Sequence, residues 1–482
     1  MKKSFKLLSL ILAIACSLAF VGCGNDNGGN SGNGGNSGNS GNGGNGGNSG
    51  KPSDGGKAAY TVDFDLPATT ETSLKISIPD NEPEKKKINA MIEAFNAKYP
   101  KITITTSTFT IDSYATTIAQ QGKAGLLADI VWCNSSNFYV PVAYGYALNL
   151  NDYVKQAKEA GAFDYEKDFT EAFGKMGKSG GSLYAIARST DSVVTFYNKE
   201  ILKAAGVDLS VFKNGWTWSD FLSVCEQLRQ YYDKNGQKKA YPIDANIGWE
   251  SVGYPIIKAL GGEVFNEKGE FCLTKEVSDK VYAFIRELVE KRYIPSENDS
   301  VTSFESGTGA MLFQSASLDV YQSKATHADK FDVVSFPLIG ENPQIGFGFA
   351  GYFVNDAVRN NRNKLNAALA FMTYLMSYDG QQVMAEKGGL NLPSIRNDLS
   401  ETNPDAKWCV QYKDKFNVAA YTYGGSYKVG VDFLQYVKPT LANAVIKALN
   451  GYTGSYCIDK DKTADKAYNL FKAEIEEVLE DV

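Results

Sequence analysis

One histidine, His327, occurs in 482 residues. Serine–histidine–aspartate catalysis needs a histidine beside the nucleophile, and zinc sites of the usual kind need clustered Cys and His. Seven cysteines are present, but none forms a Cys-x-x-Cys pair. The sequence therefore predicts no metal site and no cofactor, and a histidine-based triad has little material to work with. No full Gly-x-x-x-x-Gly-Lys-Ser/Thr phosphate loop occurs. Basic excess is missing too. Formal net charge is -6, and an acidic body lacks the clustered Lys and Arg that neutralise phosphates, which excludes nucleic acid as a partner class. From Lys57 onward no apolar run is long enough to span a bilayer.

The start of the chain does carry an apolar run. Met1-Lys-Lys-Ser-Phe-Lys is basic, and Leu7 to Val21 is apolar. That is short for a spanning helix and right for a secretory signal, so residues 1–22 are read as a signal peptide. The run ends in Phe20-Val21-Gly22-Cys23, which resembles a lipobox and implies lipidation of Cys23. From Gly24 to Gly50 every residue except Asp26 is Gly, Asn or Ser. Such a segment buries too little apolar surface to offset its ordering entropy. Residues 23–57 then read as a flexible tether with a reach of roughly 30–35 Å. Five cysteines remain beyond it, at 133, 225, 272, 409 and 457. They are scattered through apolar stretches and read as small buried hydrophobes.

The rest alternates strand and helix patterns, as an α/β protein does. Leu74-Lys-Ile-Ser-Ile is a strand, and Pro83 suits the first turn of the next helix. Ile88, Met91, Ile92, Phe95 and Tyr99 share a face of that helix, and Lys101 to Thr106 is a second strand. Leu127 to Cys133 is a buried strand ending in Asn134-Ser135-Ser136-Asn137. Ligands of open α/β sheets bind beyond the carboxyl ends of strands, which nominates Asn134 and Ser135. Between the apolar strands around Tyr184 and Val193 lies a polar stretch, Arg188-Ser-Thr-Asp191-Ser, the pattern of a crossing between two lobes. Asp191 there could bridge both lobes through a ligand. Thr217 or Ser219 caps a helix after Trp216, which makes Trp216 and Trp218 structural. Trp249 sits in a loop between Gly248 and Glu250 and is nominated for stacking on a ligand.

Several motifs in order resemble the extracellular solute-binding proteins of bacterial ABC importers, the sugar-binding type that includes maltose-binding protein. They are Phe95-Asn-Ala-Lys-Tyr-Pro-x-Ile-x-Ile, Gly181-x-Leu-Tyr-x-Ile, Tyr197-Asn-Lys-Glu-Ile-Leu, Trp216-Thr-Trp-Ser-Asp-Phe, Phe304-x-x-Gly-x-Gly-Ala-Met and Gly389-x-x-x-Pro-Ser-x-Arg396. The resemblance implies a two-lobe periplasmic-binding-protein type II architecture with a hinge. The implied lobes are 72–188 plus 328–378 and 192–323 plus 383–482, with crossings near 188–192, 318–330 and 377–385. It also implies a carbohydrate ligand, transmembrane permease subunits as partners, a monomer, and no catalysis. Under it Ser317 stands where sugar binders carry an aromatic loop, and Gly351 is in a Gly-rich strand passing the cleft. Tyr352 and Trp249 would supply ring faces, and Asn134, Asp191 and Arg396 charge-assisted hydrogen bonds. The location implied is the outer face of a bacterial membrane. Two other readings stay open. A secreted glycan hydrolase needs two facing carboxylates, with Asp191, Glu250 and Glu82 as candidates. The same fold could also take a peptide or a polyamine.

Overall fold

The structure is a computed structural model that describes residues 59–296, 304, 306–316 and 328–480. The signal peptide, the tether, Cys23, Ser317, His327 and residues 318–327 of the crossing expected at 318–330 lie outside these residues. The opening unit is parallel. Strand β1 (Thr72–Pro79) pairs with β2 (Ile102–Phe109) in register from Thr72–Ile102 to Pro79–Phe109. Helix α1 (Glu82–Lys98) connects them. Asn81 caps it through the Glu84 amide, and Ile88, Met91 and Phe95 are buried on one face. Helix α2 (Tyr114–Lys123) leads to β3 (Ile130–Asn134), which lies on the other side of β1. Further on come α3 (Tyr139–Ala143), α4 (Asn151–Glu159) and α5 (Glu171–Gly174). A two-residue hairpin of β4 (Lys178–Ser179) and β5 (Ser182–Leu183) turns at Gly180 and Gly181, both at positive φ, where side chains other than glycine are strained.

Strand β6 (Ala185–Asn198) organises the molecule. The sequence reads as strand, polar crossing, strand, but the backbone is one 14-residue strand. Alternation fails because β6 is covered on both faces, so Arg188, Ser189, Thr190 and Ser192 are buried along with the apolar residues. The rest of the chain supplies α6 (Lys199–Ala204), α7 (Trp218–Lys234), β7 (Ile243–Asp244), α8 (Glu250–Ala259), α9 (Lys275–Glu290), β8 (Met311–Ser315), β9 (Phe331–Ser335) and β10 (Ile345–Val354). Then follow α10 (Arg362–Met376), α11 (Tyr378–Glu386), β11 (Lys428–Val429), α12 (Ala442–Gly451) and α13 (Ala464–Glu480).

Strand β6 changes partners part-way. From Ala185 to Ser192 it runs antiparallel to β10, which lies against β3 on its far side. From Val193 to Asn198 it runs antiparallel to β8 and β9. This splits the nine-stranded mixed sheet into two halves that share β6 and β10. Helices α1, α10 and α11 pack on the first half, and α7, α8, α9, α12 and α13 on the second.

Two sequence-based boundaries move. Strand β9, expected to return to the first lobe from residue 328, pairs with Val194–Asn198 of β6, so the return is made by β10. The crossing expected near 377–385 falls on α11 (Tyr378–Glu386), which is capped by Ser377 and packed on α1. The cap on α7 is the expected Thr217, in a reciprocal box with Asp220, worth about 1 kcal/mol. Trp216 is fully buried and donates its indole N–H to Ser335 O at 2.7 Å.

Candidate functional site

At the partner switch of β6, neighbouring strands diverge and leave a cavity of about 210 Å³. Thr190, Asp191 and Ser192 line it from β6, Phe347 from β10 and Lys428 from β11. The irregular segment 393–425 closes the far side with Arg396, Trp408 and Tyr421. The centroids of Trp408 and Tyr421 are 6.5 Å apart and their planes 30° from parallel, an aromatic slab that borders the cavity although the two residues are only 3% and 2% exposed. Trp408 is fixed by its indole N–H donating to Leu399 O at 2.8 Å. Both rings also belong to a second apolar cluster, with Phe196, Leu312, Phe331 and Phe416, so the core holds the wall in place.

The charged groups of the cavity are mostly engaged with the protein. Asp191 accepts from Ser315 Oγ at 2.8 Å and from the amides of Ala316 at 3.1 Å and Ser192 at 2.8 Å. Burial pushes its carboxyl above the usual range, while those hydrogen bonds and Arg188 pull it back. Its bonds tie β6 to the end of β8, so the carboxylate expected to bridge the lobes through a ligand is already engaged within the protein. Arg396 forks onto Asp398 through Nε at 2.8 Å and Nη2 at 2.5 Å, and its guanidinium lies over Phe169. Lys428 is 8% exposed and donates to Ser192 Oγ. Burial lowers its ammonium to about 7, against the opposing pull of Asp191.

Beneath this end of β6 lies a buried ion pair. Arg188 Nη2 is 2.5 Å from Glu84 Oε1 on α1, and Lys87 Nζ is 3.5 Å from the same oxygen. Burial pushes the Glu84 carboxyl up, but Arg188 and Lys87 outweigh it and hold the group below its ordinary value.

Past Phe347 the cleft narrows. Ser135 from the end of β3 faces Gly348, Gly430 and Asp432 on one side, and Glu250, Ser251 and Tyr254 of α8 on the other. Glycine at 346 permits this. A Cβ there would stand 1.7 Å from Ser251 O.

The nominated residues are distributed as follows. Asp191 and Arg396 meet in the cavity, and Ser135 lines the narrow end. Asn134 spends its Oδ1 on Ser136 and Asn137 in its own turn, next to the cleft. Trp249 precedes α8 and packs half-buried on the core, lining neither part of the cleft. Tyr352 is 1% exposed. Alternation turns it away from the cleft, no part of which it lines. Gly351 packs on β6, where a Cβ would lie 2.1 Å from Ile186 O, so its missing side chain serves strand packing. The hydrolase carboxylates are not gathered: Glu82 is exposed and paired with Lys85, and Glu250 accepts from Asn450 Nδ2 in the narrow end. Gly177-Lys-Ser-Gly-Gly has nucleophile-elbow spacing, but Ser179 is 4% exposed in the β4–β5 hairpin. Among the described residues no cluster of three His, Cys, Asp or Glu could hold a metal, and no helix is long and apolar enough to cross a membrane.

Sequence reasoning missed Trp408, Tyr421, Phe347 and Lys428. A signal existed for the first two, since an aromatic-rich run through 408–427 has neither helical nor strand periodicity.

The family model of the bacterial extracellular solute-binding proteins matches residues 90–412. The chain belongs to that family. Solved structures agree with this solute-binding protein in fold. An ABC substrate-binding protein from Listeria monocytogenes in complex with cycloalternan has a TM-score of 0.64 at 20% identity, covering 85% of this chain and 98% of its own. The cyclic alpha-maltosyl-1,6-maltose binding protein from Arthrobacter globiformis has a TM-score of 0.65 at 15% identity, covering 86% and 100%. These similarities fix the two-lobe periplasmic-binding-protein architecture expected from sequence. A curated arabinooligosaccharide-binding protein from Halalkalibacterium halodurans is 25% identical over 205 residues, spanning 41% of this chain and 42% of that relative.

Proposed function

We propose that this solute-binding protein takes an oligosaccharide between its lobes and delivers it, unaltered, to the transmembrane subunits of an ABC permease. The observation that carries this reading is the aromatic slab of Trp408 and Tyr421 beside polar groups at the β6 partner switch. Sugar rings present C–H faces that pack on aromatic rings, and their hydroxyls need paired donors and acceptors. Thr190, Ser192, Lys428 and the groups around Ser135 offer them. The named ligands of the relatives, cycloalternan, cyclic maltosyl-maltose and arabinooligosaccharide, are carbohydrates. Lobe closure about β6 and β10 would seal the ligand. The N-terminal pattern supports attachment by a lipid on Cys23, at the outer face of the membrane, where the protein would act as a monomer.

Isothermal titration with maltotriose, arabinotriose and cycloalternan tests the reading. Saturable binding with the sugar recovered intact is expected. If none of a broad oligosaccharide panel binds while peptides or polyamines do, the carbohydrate assignment is wrong; hydrolysis products would return the glycosidase reading. For the anchor, fatty-acid labelling should mark the wild-type protein and miss Cys23→Ser, which should appear in the medium.

A further inference from the structure

Resting on the oligosaccharide reading, we propose that Lys428 is a specificity residue that selects a solute bearing a carboxylate, such as a uronate-containing oligosaccharide. The geometry is that of a cation without a counter-ion. Lys428 stands in the cavity wall, 8% exposed, and the one hydrogen bond its Nζ makes among the described residues is to the neutral Ser192 hydroxyl. An ammonium has three donor positions, and a buried one is costly unless it meets an anion or loses its proton. The neighbouring charges do not supply that anion. Asp191 lies close enough to be felt, but its oxygens accept from Ser315, Ala316 and Ser192, and it forms no ion pair with Lys428. Arg396 is taken up by Asp398. Glu171 pairs with Lys175, itself a like charge for Lys428. Glu401 and Tyr421 complete the titratable groups lining the cavity. A solute carboxylate would supply the missing partner beside the aromatic slab.

The coupling has a definite sign. With its ammonium lowered to about 7, Lys428 in the empty site is largely uncharged at pH 8 and largely charged at pH 6. A bound carboxylate favours the charged form. Binding at pH 8 therefore takes up close to one proton, and affinity for the acidic solute falls as pH rises through 7, approaching about tenfold per unit.

Titration of the full chain with matched sugars tests this, using α-1,4-digalacturonate against neutral α-1,4-galactobiose, and maltobionate against maltitol, in buffers of different ionisation enthalpy. An acidic member binding about tenfold or more tighter at pH 6, with proton uptake at pH 8, is expected. In Lys428→Met the acidic-to-neutral preference should vanish. In Lys428→Arg, whose charge does not titrate here, the preference should persist without proton uptake. Binding of neutral sugars with no acidic preference at any pH overturns the inference and leaves the oligosaccharide reading standing. Acidic preference unchanged in Lys428→Met overturns the assignment to Lys428. Failure of every sugar, neutral or acidic, overturns the underlying reading instead. If both variants fail to fold, absence of proton uptake at pH 8 when the wild-type protein binds the acidic sugar still overturns the inference.

Discussion

The two ends of the interlobe cleft are built on opposite plans. At the Trp408 end, bulky rings from an irregular segment stand back from β6 and leave room. At the Ser135 end, Gly346 lets β10 approach Ser251 in α8's first turn, and Gly348 lets it approach Ser135. Phe347 lies between them and lines both. The open end is organised by side chains and the narrow end by their absence. A substitution at the first should therefore change what is bound, and at the second whether the cleft can take its shape.

The shared strand comes before either end. Glu84→Gln leaves Arg188 and Lys87 as buried cations beneath the partner switch. A loss of about 3–5 kcal/mol in denaturant unfolding is expected, as for a broken buried pair. The sign with pH follows from the lowered Glu84 carboxyl. Its contribution is present above the unfolded glutamate value, near about 4.3, and is lost as pH falls below it. Wild type and variant should therefore converge in acid; a constant gap down to pH 3 would refute the ion-pair account. Next in size is Gly346→Ala. The new Cβ meets a backbone oxygen that cannot swing aside, so α8 must shift. Overpacking of this kind costs about 1–3 kcal/mol, and solute affinity should fall with it. Unchanged stability and affinity would mean that α8 and β10 can part there at no cost.

How much of this was legible in the sequence depends on whether periodicity survived. Helix α1 was readable because Ile88, Met91 and Phe95 sit on one face and Asn81 and Pro83 mark its start. Strand β6 was misread as two strands because burial on both faces erased alternation across Arg188–Ser192. Asp191 and Arg396 were located through motifs, yet their partners, Ser315 and Asp398, follow from tertiary packing. Tyr352 failed as a ring donor for a local reason. A one-residue step along a strand reverses the face, and the cleft is on the side of Phe347 and Phe349, not Tyr352. Trp408 and Tyr421 stand in a visibly aromatic-rich run, but a segment of turns and short 3₁₀ pieces has no period to reveal which of its residues face inward.

Two milder substitutions compare the ends directly. Trp408→Phe removes the hydrogen bond to Leu399 O and part of the slab while keeping a ring in place. About 1–2 kcal/mol of stability should go, and oligosaccharide affinity should drop roughly tenfold. A full-strength sugar response in this variant would remove the slab from the site. Ser135→Ala is the smallest change. The Ser135 hydroxyl abuts Gly348, and its amide, which the substitution keeps, donates to Phe349 O. Stability should move by no more than about 0.5 kcal/mol. Titration then reports on the narrow end alone. A several-fold weakening would mean that the solute extends past Phe347 and spans both ends. Affinity equal to wild type would confine the solute to the cavity beside Trp408, and with it the length of sugar the protein can hold.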